Sequence, residues 1–352
     1  MKQYRVIGLM SGTSLDGLDI AYCTFYKKDQ HWSFDFHIGE TVSYSPDWKA
    51  RLKGAMELTG YDLSMLHVEL GQLHGQWVND FISKNNIIEV EAICSHGHTI
   101  FHDPQQSLTL QIGSPAHIAA ATKLTVVADF RTKDVALGGQ GAPLVPIGDA
   151  LLFSEYVACL NLGGIANISL QEHGQRIAGD LGICNILLNA IAAMEGKEYD
   201  EGGMLARKGN VIESLLAKWN AIPFYNKELP KSLGREFFET FYKKDLLPND
   251  HSVEDLMRTA VEHIAIQIGG FIESKSISQI LVTGGGAFNE FLIERVRDLS
   301  SAEIHIPSSQ IIQFKEAVIF GFLGVLRLSG EVNTLRSVTG ASNDSVGGAI
   351  WL

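Results

Sequence analysis

The stretch Val6–Cys23, which reads VIGLMSGTSLDGLDIAYC, decides the first part of the fold. Two apolar runs flank the small polar residues of Ser11–Asp19, so the pattern predicts two strands joined by a turn, with Gly12, Asp16 and Gly17 as turn residues. The run Ser-Gly-Thr-Ser adds three hydroxyls and free backbone N–H groups, which are the groups that bind phosphate. The stretch is not a Walker A loop, because no Gly-Lys-Ser/Thr follows a strand. A plain hairpin turn and a phosphate-binding turn therefore both remain open.

A second glycine-rich turn lies in the other half of the chain, in NLGGIANIS, Asn161–Ser169. Outward from both turns, apolar periodicity predicts the same order, three strands followed by alternating helices and strands. The predicted strands are Tyr4–Leu9, Leu18–Tyr26, Trp32–Ser43, Val90–Ser95, Leu124–Phe130, Tyr156–Leu162, Ile165–Leu170, Gln175–Ala178, Gln279–Thr283 and Glu303–Ile306. Helices are predicted across residues 63–81, from Ser114, across Ile186–Met194, from the glycines at 284–286 and across Lys315–Leu328.

This repetition predicts two α/β domains with a cleft between them, because ligands of such folds bind where strand ends and helix N-termini face a crevice. Two glycine-rich turns at matching places suit a polyphosphate gripped from opposite sides. The alternative is a pair of tight turns in which the glycines only provide positive φ angles.

The composition limits the kinds of partner. The 352 residues carry a net charge of −12, which argues against nucleic acid or an anionic membrane as the partner. No segment approaches the ~20 uninterrupted apolar residues of a membrane span, and the N-terminus MKQYRVIG lacks the apolar stretch of a signal peptide. Cys23, Cys94, Cys159 and Cys184 form no CxxC pair, so we expect buried thiols in a reducing cytoplasm.

In three further motifs, the residues at the end of a predicted strand are suited to binding an anion or to catalysis. In ILVTGGGAFNEFL, Ile280–Leu292, a strand runs into three glycines and a helix, which suits an anion at the helix N-terminus or close helix–strand packing. In RIAGDLGICN, Asp180 ends a strand before a helix, where it suits an N-cap or a general base. In VADFRTKD, Asp129 and Arg131 end a strand, and the arginine suits recognition of a carboxylate or phosphate, or an ordinary surface ion pair.

The motif SHGHTIFHDP contains His96, His98 and His102. Alternation along a strand would place His96 and His98 on one face, so a metal site is one hypothesis. Apart from Asp103, neither a cysteine nor an obvious carboxylate completes such a site. The motif therefore favours polar contacts to a substrate.

The ordered set of motifs resembles the anhydro-N-acetylmuramic acid kinase family, sugar kinases of the hexokinase, heat-shock-70 and actin superfamily. The resemblance runs nearly end to end and rests on GLMSGTSLDGLD, SHGHT, LQIGSPAHIA, VVADFRTKDVALGGQGAPLVP, NLGGIANIS, YDEGG, PKSLGREFF, VTGGGAFN, FKEA and SVTGAS. It implies an α/β fold of two ribonuclease-H-like (actin-like ATPase) domains around a central nucleotide cleft, over residues 1–130 and 131–352. The second domain would carry a helical insertion, and the final segment could pack back on the first domain.

The resemblance also implies the reaction. The 1,6-anhydro ring of anhydro-N-acetylmuramic acid is opened and O6 is phosphorylated, which yields N-acetylmuramic acid 6-phosphate and ADP in cytoplasmic peptidoglycan recycling. ATP and Mg²⁺ are the implied cofactors, and the sugar and ATP the implied partners. A homodimer is also implied, and we expect neither a nucleic acid nor a membrane as partner.

The resemblance assigns residues to three roles. Asp180 matches the catalytic aspartate, which would draw a proton from the water that attacks the anomeric carbon. The implied nucleotide-binding residues are Gly12, Thr13, Ser14, Leu15, Asp16, Gly17, Leu18, Asp19, Gly163, Gly164, Gly284, Gly285 and Gly286. The implied substrate-binding residues are Gly97, His98, Thr99, Asp129, Arg131 and Glu316. The direct ligands of the metal stay undetermined, with Asp16 and Asp180 as the two candidates near it.

The chain departs from the family pattern at the catalytic turn. The family usually has Asp-Thr-Gly-Pro-Gly-Asn where this chain has DLGICN, and Asn189 and His98 stand where many members have Asp and Gln. Because Asp180 is retained, we expect activity, and the changed loop bears on turnover and on the position of the water. Two alternatives stay open, a kinase of the same fold for another sugar and an actin-like nucleotide switch without a small-molecule acceptor.

Overall fold

The computed structural model of the chain describes residues 2–234, 236–246 and 251–352. It divides into two compact units, unit 1 with Met1–Phe153 and Phe314–Leu352, and unit 2 with Ser154–Gln313. The predicted limits, 1–130 and 131–352, differ from this division because residues 131–153 and 314–352 belong to unit 1. Domain limits in the sense of independently folding parts stay a prediction.

The first part of unit 1 begins with three strands and continues with helices and further strands. Its strands are β1 (Lys2–Ser11), β2 (Gly17–Lys28), β3 (His31–Ser43), β4 (Ala92–Asp103), β5 (Leu108–Ile112) and β6 (Thr125–Ala128). Its helices are α1 (Pro46–Lys53), α2 (Gly60–Lys84), α3 (Pro115–Thr122), α4 (Thr132–Ala136) and α5 (Val145–Leu152). The predicted apolar face of α2 is buried at Leu66, Leu70 and Phe81, and Thr59 caps the helix by accepting a hydrogen bond from the N–H of Asp62.

Unit 2 repeats the three strands and then inserts several helices. Its strands are β7 (Ala158–Leu162), β8 (Ile165–Glu172), β9 (Gln175–Ile183), β10 (Gln279–Thr283) and β11 (Glu303–His305). Its helices are α6 (Asn185–Ala192), α7 (Met204–Lys208), α8 (Glu213–Asn220), α9 (Glu236–Phe241), α10 (Val253–Ser274) and α11 (Glu290–Asp298). The helix α10 contributes its buried face to the core of this unit, with Leu256, Ile264 and Ile272 almost fully buried.

The last part of the chain joins unit 1 from residue 314 onward. Helix α12 (Ser309–Ser329) spans this boundary, and α13 (Arg336–Thr339) and β12 (Ala349–Trp351) follow it. The helix α12 lies directly against β1, because a Cβ added at Gly8 would be 1.9 Å from the Ala317 carbonyl oxygen. This close approach brings the FKEA motif to the sheet of unit 1.

The two sheets have the same strand order. In unit 1 the order is β3-β2-β1-β4-β6-β12, with β5 paired to β4, and in unit 2 it is β9-β8-β7-β10-β11. In unit 1, β2 is antiparallel to both β1 and β3, whereas β4 and β6 run parallel to β1. In unit 2, β8 is antiparallel to both β7 and β9, whereas β10 and β11 run parallel to β7. This is the ribonuclease-H-like order, so the predicted α/β fold class with two such sheets is confirmed. The predicted nucleotide cleft stays a prediction.

The structure also contains elements that the apolar pattern did not predict. The strands β5 and β12 are short, and β4 and β9 extend beyond their predicted ends into the polar motifs SHGHT and GDLGI. These extensions carry His98 and Asp180, so two predicted site residues lie within strands. None of the helices in the described part of the chain combines the length and the apolar composition that a membrane crossing requires.

Candidate active site

In unit 1, the turn of the opening stretch connects β1 to β2. Leu15 adopts a φ of 63°, and its N–H donates to the Gly12 carbonyl over 3.2 Å. A Cβ added at Gly12 would lie 3.5 Å from its nearest neighbour, so packing does not require a glycine there, whereas a Cβ at Gly17 would lie 2.4 Å from the carbonyl oxygen of Val42 in β3. The exposed side chains of the turn are Thr13, Ser14 and Asp16. An open glycine beside exposed hydroxyls suits a ligand that approaches the backbone.

A buried chain of hydrogen bonds lies behind this turn. Ser11 Oγ is 2.9 Å from both His98 Nδ1 and the Tyr44 hydroxyl, which is 2.8 Å from His74 Nε2. Burial lowers the pKa of His98, and lowers the pKa of His74 to about 3, so both imidazoles are neutral at pH 7. The chain therefore connects the predicted substrate residue His98 to the end of β1, where the predicted phosphate turn begins.

Arg131 has its guanidinium held by two neutral acceptors. Its Nε donates to His96 Nε2 over 3.0 Å and its Nη1 to the Gly141 carbonyl over 2.6 Å. Burial lowers the pKa of Arg131 to about 10, and the charge of Glu316 opposes this. Arg131 is thus not the ordinary surface ion pair that the sequence left open.

Glu316, on α12, is brought into the electrostatic reach of two other predicted site residues. The side chain of Glu316 is exposed, yet partial desolvation by the surrounding protein raises its pKa, the guanidinium of Arg131 opposes that rise, and the carboxylate of Asp19 adds to it. Burial also raises the pKa of Asp19, whose Oδ1 accepts a hydrogen bond from Thr41 over 2.6 Å. Unit 1 therefore brings together residues predicted for the sugar and for the nucleotide.

The remaining predicted substrate residues of unit 1 lie in a strand or directly after one, at positions where the backbone or the strand pairing is irregular. Asp129 is exposed directly after β6 and has a φ of 61°, a strained conformation of the kind that clusters at functional sites. Thr99 Oγ1 accepts a hydrogen bond from Gln111 over 3.3 Å. Gly97, with a φ of 75°, interrupts the regular pairing of β4, so its neighbours bind different partners, His96 to Arg131 and His98 to Ser11.

The histidine metal site finds no support. Within residues 2–234, 236–246 and 251–352, no group of three or more His, Cys, Asp or Glu side chains could hold a metal ion. The sequence pattern suggested a metal because alternation would place His96 and His98 on one face. Since each imidazole instead hydrogen-bonds protein groups, polar contacts are the interpretation that remains.

In unit 2, the turn between β7 and β8 meets the start of α6. The carbonyl of Gly163 accepts from the N–H of Asn185 over 3.1 Å, and that of Gly164 from the N–H of Cys184 over 3.0 Å. The Asn185 side chain also donates to the Leu162 carbonyl over 2.9 Å. The turn is therefore rigidly held by the same residues that open the helix after β9.

The three glycines after β10 lie against this turn, and packing explains only part of them. A Cβ added at Gly284, where φ is 83°, would lie 2.6 Å from Asn161 Oδ1 and 2.7 Å from the Leu162 carbonyl carbon. A Cβ at Gly286 would lie 2.7 Å from the Leu162 side chain, whereas at Gly285 the nearest atom would be 3.7 Å away. Close packing accounts for Gly284 and Gly286, and Gly285 leaves room for a ligand.

The helix predicted to begin at these glycines begins later. Gly285–Phe288 form a single 3₁₀ turn, and α11 begins at Glu290 with Asn289 as its N-cap. The Asn289 side chain accepts from the N–H of Leu292 over 3.0 Å. The prediction of an α-helix N-terminus at the glycines is therefore wrong, because a capping asparagine starts the helix one turn further on.

Asp180 lies within β9 and pairs with Asn167 just before a bulge at Leu181. Its half-buried carboxylate accepts a hydrogen bond at Oδ2 from the N–H of Leu233 over 2.7 Å. Burial raises the pKa of Asp180, and the Leu233 N–H opposes that rise. The N-cap of α6 is Cys184, so the capping interpretation of Asp180 is wrong and its carboxylate is available for chemistry.

The contact between Asp180 and Leu233 was missed by the sequence reasoning. The motif PKSLGREFF contains Leu233, yet 53 positions separate the two residues, and no local pattern connects them. The side chains that follow Asp180 in DLGICN lie in the core, since Leu181, Ile183 and Cys184 are almost fully buried. Where the chain departs from the family pattern, apolar side chains therefore pack into the core, and the aspartate itself is retained.

Comparison with known proteins gives one family. The family model described as anhydro-N-acetylmuramic acid kinase matches residues 4–352. A protein of Sulfurovum sp. (strain NBC37-1) with that same name is 36% identical over 366 aligned residues, which cover 100% of each chain.

Solved structures resemble the chain more distantly. The activator of the 2-hydroxyisocaproyl-CoA dehydratase from Clostridium difficile with bound ADPNP is 12% identical, with a TM-score of 0.43 over 93% of this chain and 98% of that one. A ROK hexokinase from Thermus thermophilus is 12% identical, with a TM-score of 0.43 over 91% and 99%. At these TM-scores nothing further is concluded from the structural likenesses.

Proposed function

The chain belongs to the anhydro-N-acetylmuramic acid kinase family, and from this premise we propose how its residues share the reaction. The enzyme is an ATP-dependent sugar kinase that opens the 1,6-anhydro ring with water and phosphorylates O6, in peptidoglycan recycling. The water oxygen bonds to the anomeric carbon as the bond from that carbon to O6 breaks. O6 then takes the γ-phosphoryl group and ADP leaves, while the proton of the water goes to a base.

The base in this proposal is Asp180. The observation that carries the assignment is its carboxylate, which is half-buried in β9 and does not cap a helix. Among the residues that the structure describes, it accepts a hydrogen bond from the Leu233 N–H at one oxygen. Burial raises the pKa of this group, which makes its carboxylate a stronger base than that of an exposed aspartate. A general base of this kind contributes about 10²–10⁴-fold to a rate.

The nucleotide phosphates are assigned to the glycine-rich turns of both units, Gly12 to Asp19 in unit 1, and Gly163, Gly164 and Gly284–Gly286 in unit 2. Gly12 and Gly285 support this assignment because packing does not explain why they lack a side chain. Exposed hydroxyls at Thr13 and Ser14 add donors for phosphate oxygens. Phosphoryl transfer depends mainly on such positioning and charge stabilisation.

The sugar is assigned to Gly97, His98, Thr99, Asp129, Arg131 and Glu316. Arg131 is held by His96 and Gly141, so its position is set before a ligand arrives. His98 is a neutral imidazole anchored to Ser11, which suits a hydroxyl partner better than a charged one. Asp129 is exposed at the end of β6, where it can accept a hydrogen bond from the sugar.

The carboxylates of unit 1 match what Mg²⁺ needs, both in ligand type and in the number of carboxylates. Desolvation raises the pKa of Asp19 and of Glu316; the charge of Asp16 adds to the first rise and that of Asp19 to the second, so these carboxylates sense one another's negative charge. Mg²⁺ takes oxygen ligands, commonly one or two carboxylates together with substrate phosphates and water. We assign Asp16 and Asp19 to this role, in which the ion would neutralise charge on the phosphates.

We further propose that the enzyme acts in the cytoplasm as a homodimer, with neither nucleic acid nor membrane as a partner. The buried positions of its four cysteines support a reducing compartment. The net charge of −12 opposes binding to polyanions.

The test of the site assignment is Asp180→Asn, measured with Mg-ATP and the anhydro sugar. We expect ATP binding close to that of the wild type and a turnover lower by about 10²–10⁴-fold, because the amide cannot accept the proton. Product is measured as phosphorylated reducing sugar, and calorimetric titration with a non-hydrolysable ATP analogue serves as the control. A near-normal rate would remove the assignment of the base.

A further inference from the structure

The proposed base is held by a segment to which the proposed function gives no role, Leu229–Leu233, which reads LPKSL. The main-chain N–H of Asp180 donates to the Lys231 carbonyl over 2.8 Å, and Asp180 Oδ2 accepts from the N–H of Leu233 over 2.7 Å. β9 is an edge strand of its sheet, so this segment supplies partners that a further strand would otherwise supply. Gly179 permits the approach, because a Cβ there would lie 2.9 Å from the Lys231 carbonyl oxygen.

The segment is itself anchored through Lys231. The Lys231 ammonium lies 3.3 Å and 3.5 Å from the carbonyl oxygens of Phe224 and Tyr225, and 4.6 Å from the centre of the Phe224 ring. The Tyr225 hydroxyl is 2.5 Å from that of Tyr242 and 3.1 Å from His263 Nε2, within the core of unit 2. Cation–carbonyl and cation–π contacts thus connect the segment to a rigid, buried network.

We propose that Lys231 and the N–H of Leu233 are positioning groups for the ring-opening step, and that they leave Asp180 Oδ1 as the atom that receives the proton. This inference rests on the proposed function, in which Asp180 is the base. Among the described residues, the protein hydrogen bond to this carboxylate goes to Oδ2, which sets the rotation of the group. The water proton passes to Oδ1 as the water oxygen bonds to the anomeric carbon and O6 departs, and it later leaves to solvent.

The Leu233 N–H is tested by the pair Leu233→Pro and Leu233→Ala. Both variants lose the leucine side chain, and only the proline variant also loses the N–H. We expect the acidic limb of the kcat–pH profile to lie about one pH unit higher in Leu233→Pro than in Leu233→Ala, because the charged carboxylate loses a hydrogen bond. We also expect equal KM values for ATP. Identical limbs in two folded variants would overturn the inference.

The role of Lys231 is tested by comparing Lys231→Met with Lys231→Arg. This comparison also tests the positioning proposal if Leu233→Pro does not fold. We expect a fall in kcat of about tenfold in the methionine variant, with an unchanged KM for ATP, and recovery of most of it in the arginine variant. Full kcat in Lys231→Met would overturn the role of Lys231. If Asp180→Asn is inactive while these variants behave like the wild type, the positioning inference alone fails. An active Asp180→Asn would instead refute the base itself.

Discussion

The contact between β1 and α12 makes a strong prediction for Gly8→Ala. A Cβ at this position would lie 1.9 Å from the Ala317 carbonyl oxygen, 2.9 Å from the Ala317 carbonyl carbon and 3.0 Å from the Gly321 nitrogen. All three atoms belong to backbone, so no side-chain rotamer can relieve the overlap. The helix and strand must separate until the shortest contact grows from 1.9 Å to at least 3.0 Å.

Such a displacement costs about 3 kcal/mol, the upper part of the usual range for overpacking in a core. For a unit of this size, that loss lowers the melting temperature by about 6–12 °C. The movement also shifts Glu316, which α12 carries towards the predicted sugar residues. If Glu316 binds the sugar, a displacement of about 1 Å lowers kcat/KM for the sugar by about 100-fold.

The assay compares Gly8→Ala with Gly60→Ala, a matched change in the first turn of α2, where an added Cβ meets no atom within 4 Å. We expect Gly60→Ala to melt at or slightly above the wild-type temperature, because alanine favours helix more than glycine does. Melting is followed by circular dichroism and activity by the coupled release of ADP. A Gly8→Ala variant that melts within about 1 °C of the wild type would refute the reasoning.

Two further predictions concern the glycines of unit 2 and the buried histidine of unit 1. Gly285→Ala should raise the KM for ATP without changing the melting temperature, whereas Gly284→Ala should lower the melting temperature because its φ of 83° and its neighbours exclude a side chain; equal melting temperatures would contradict this. His74 has a folded pKa of about 3 and an ordinary value of 6.5, so the unfolded state gains the proton first and stability falls as pH drops below 6.5. The slope approaches about 1.4 kcal/mol per pH unit once the pH is well below 6.5. Between pH 7 and pH 5 the free energy of unfolding, measured with urea, should therefore fall by about 2 kcal/mol less in His74→Gln than in the wild type. Equal slopes for His74→Gln and the wild type would refute the histidine's part in acid sensitivity.

Much of the fold could be predicted from the sequence because its information is local. Apolar alternation and glycine-rich turns mark the hairpins of β1–β2 and β7–β8, and periods of three and four residues mark α2. The extensions of β4 and β9 could not be predicted in the same way. Polar residues and glycines such as His96, Gly97, Gly179 and Asp180 interrupt the apolar pattern there, although both strands continue beyond them to buried Ile100 and Ile183.

The sequence by itself determined the family and the repeated strand order, and it supplied the predicted site residues, since each depends on residue type and order along one chain. Only the tertiary structure decided what each residue contacts. It shows that packing demands Gly284 while Gly285 stays open, that Arg131 is held by neutral acceptors, and that Asp180 is bonded from a segment 53 positions away. The physical reason is that burial, hydrogen bonding and pKa depend on neighbours in space, which folding brings together from distant parts of the chain.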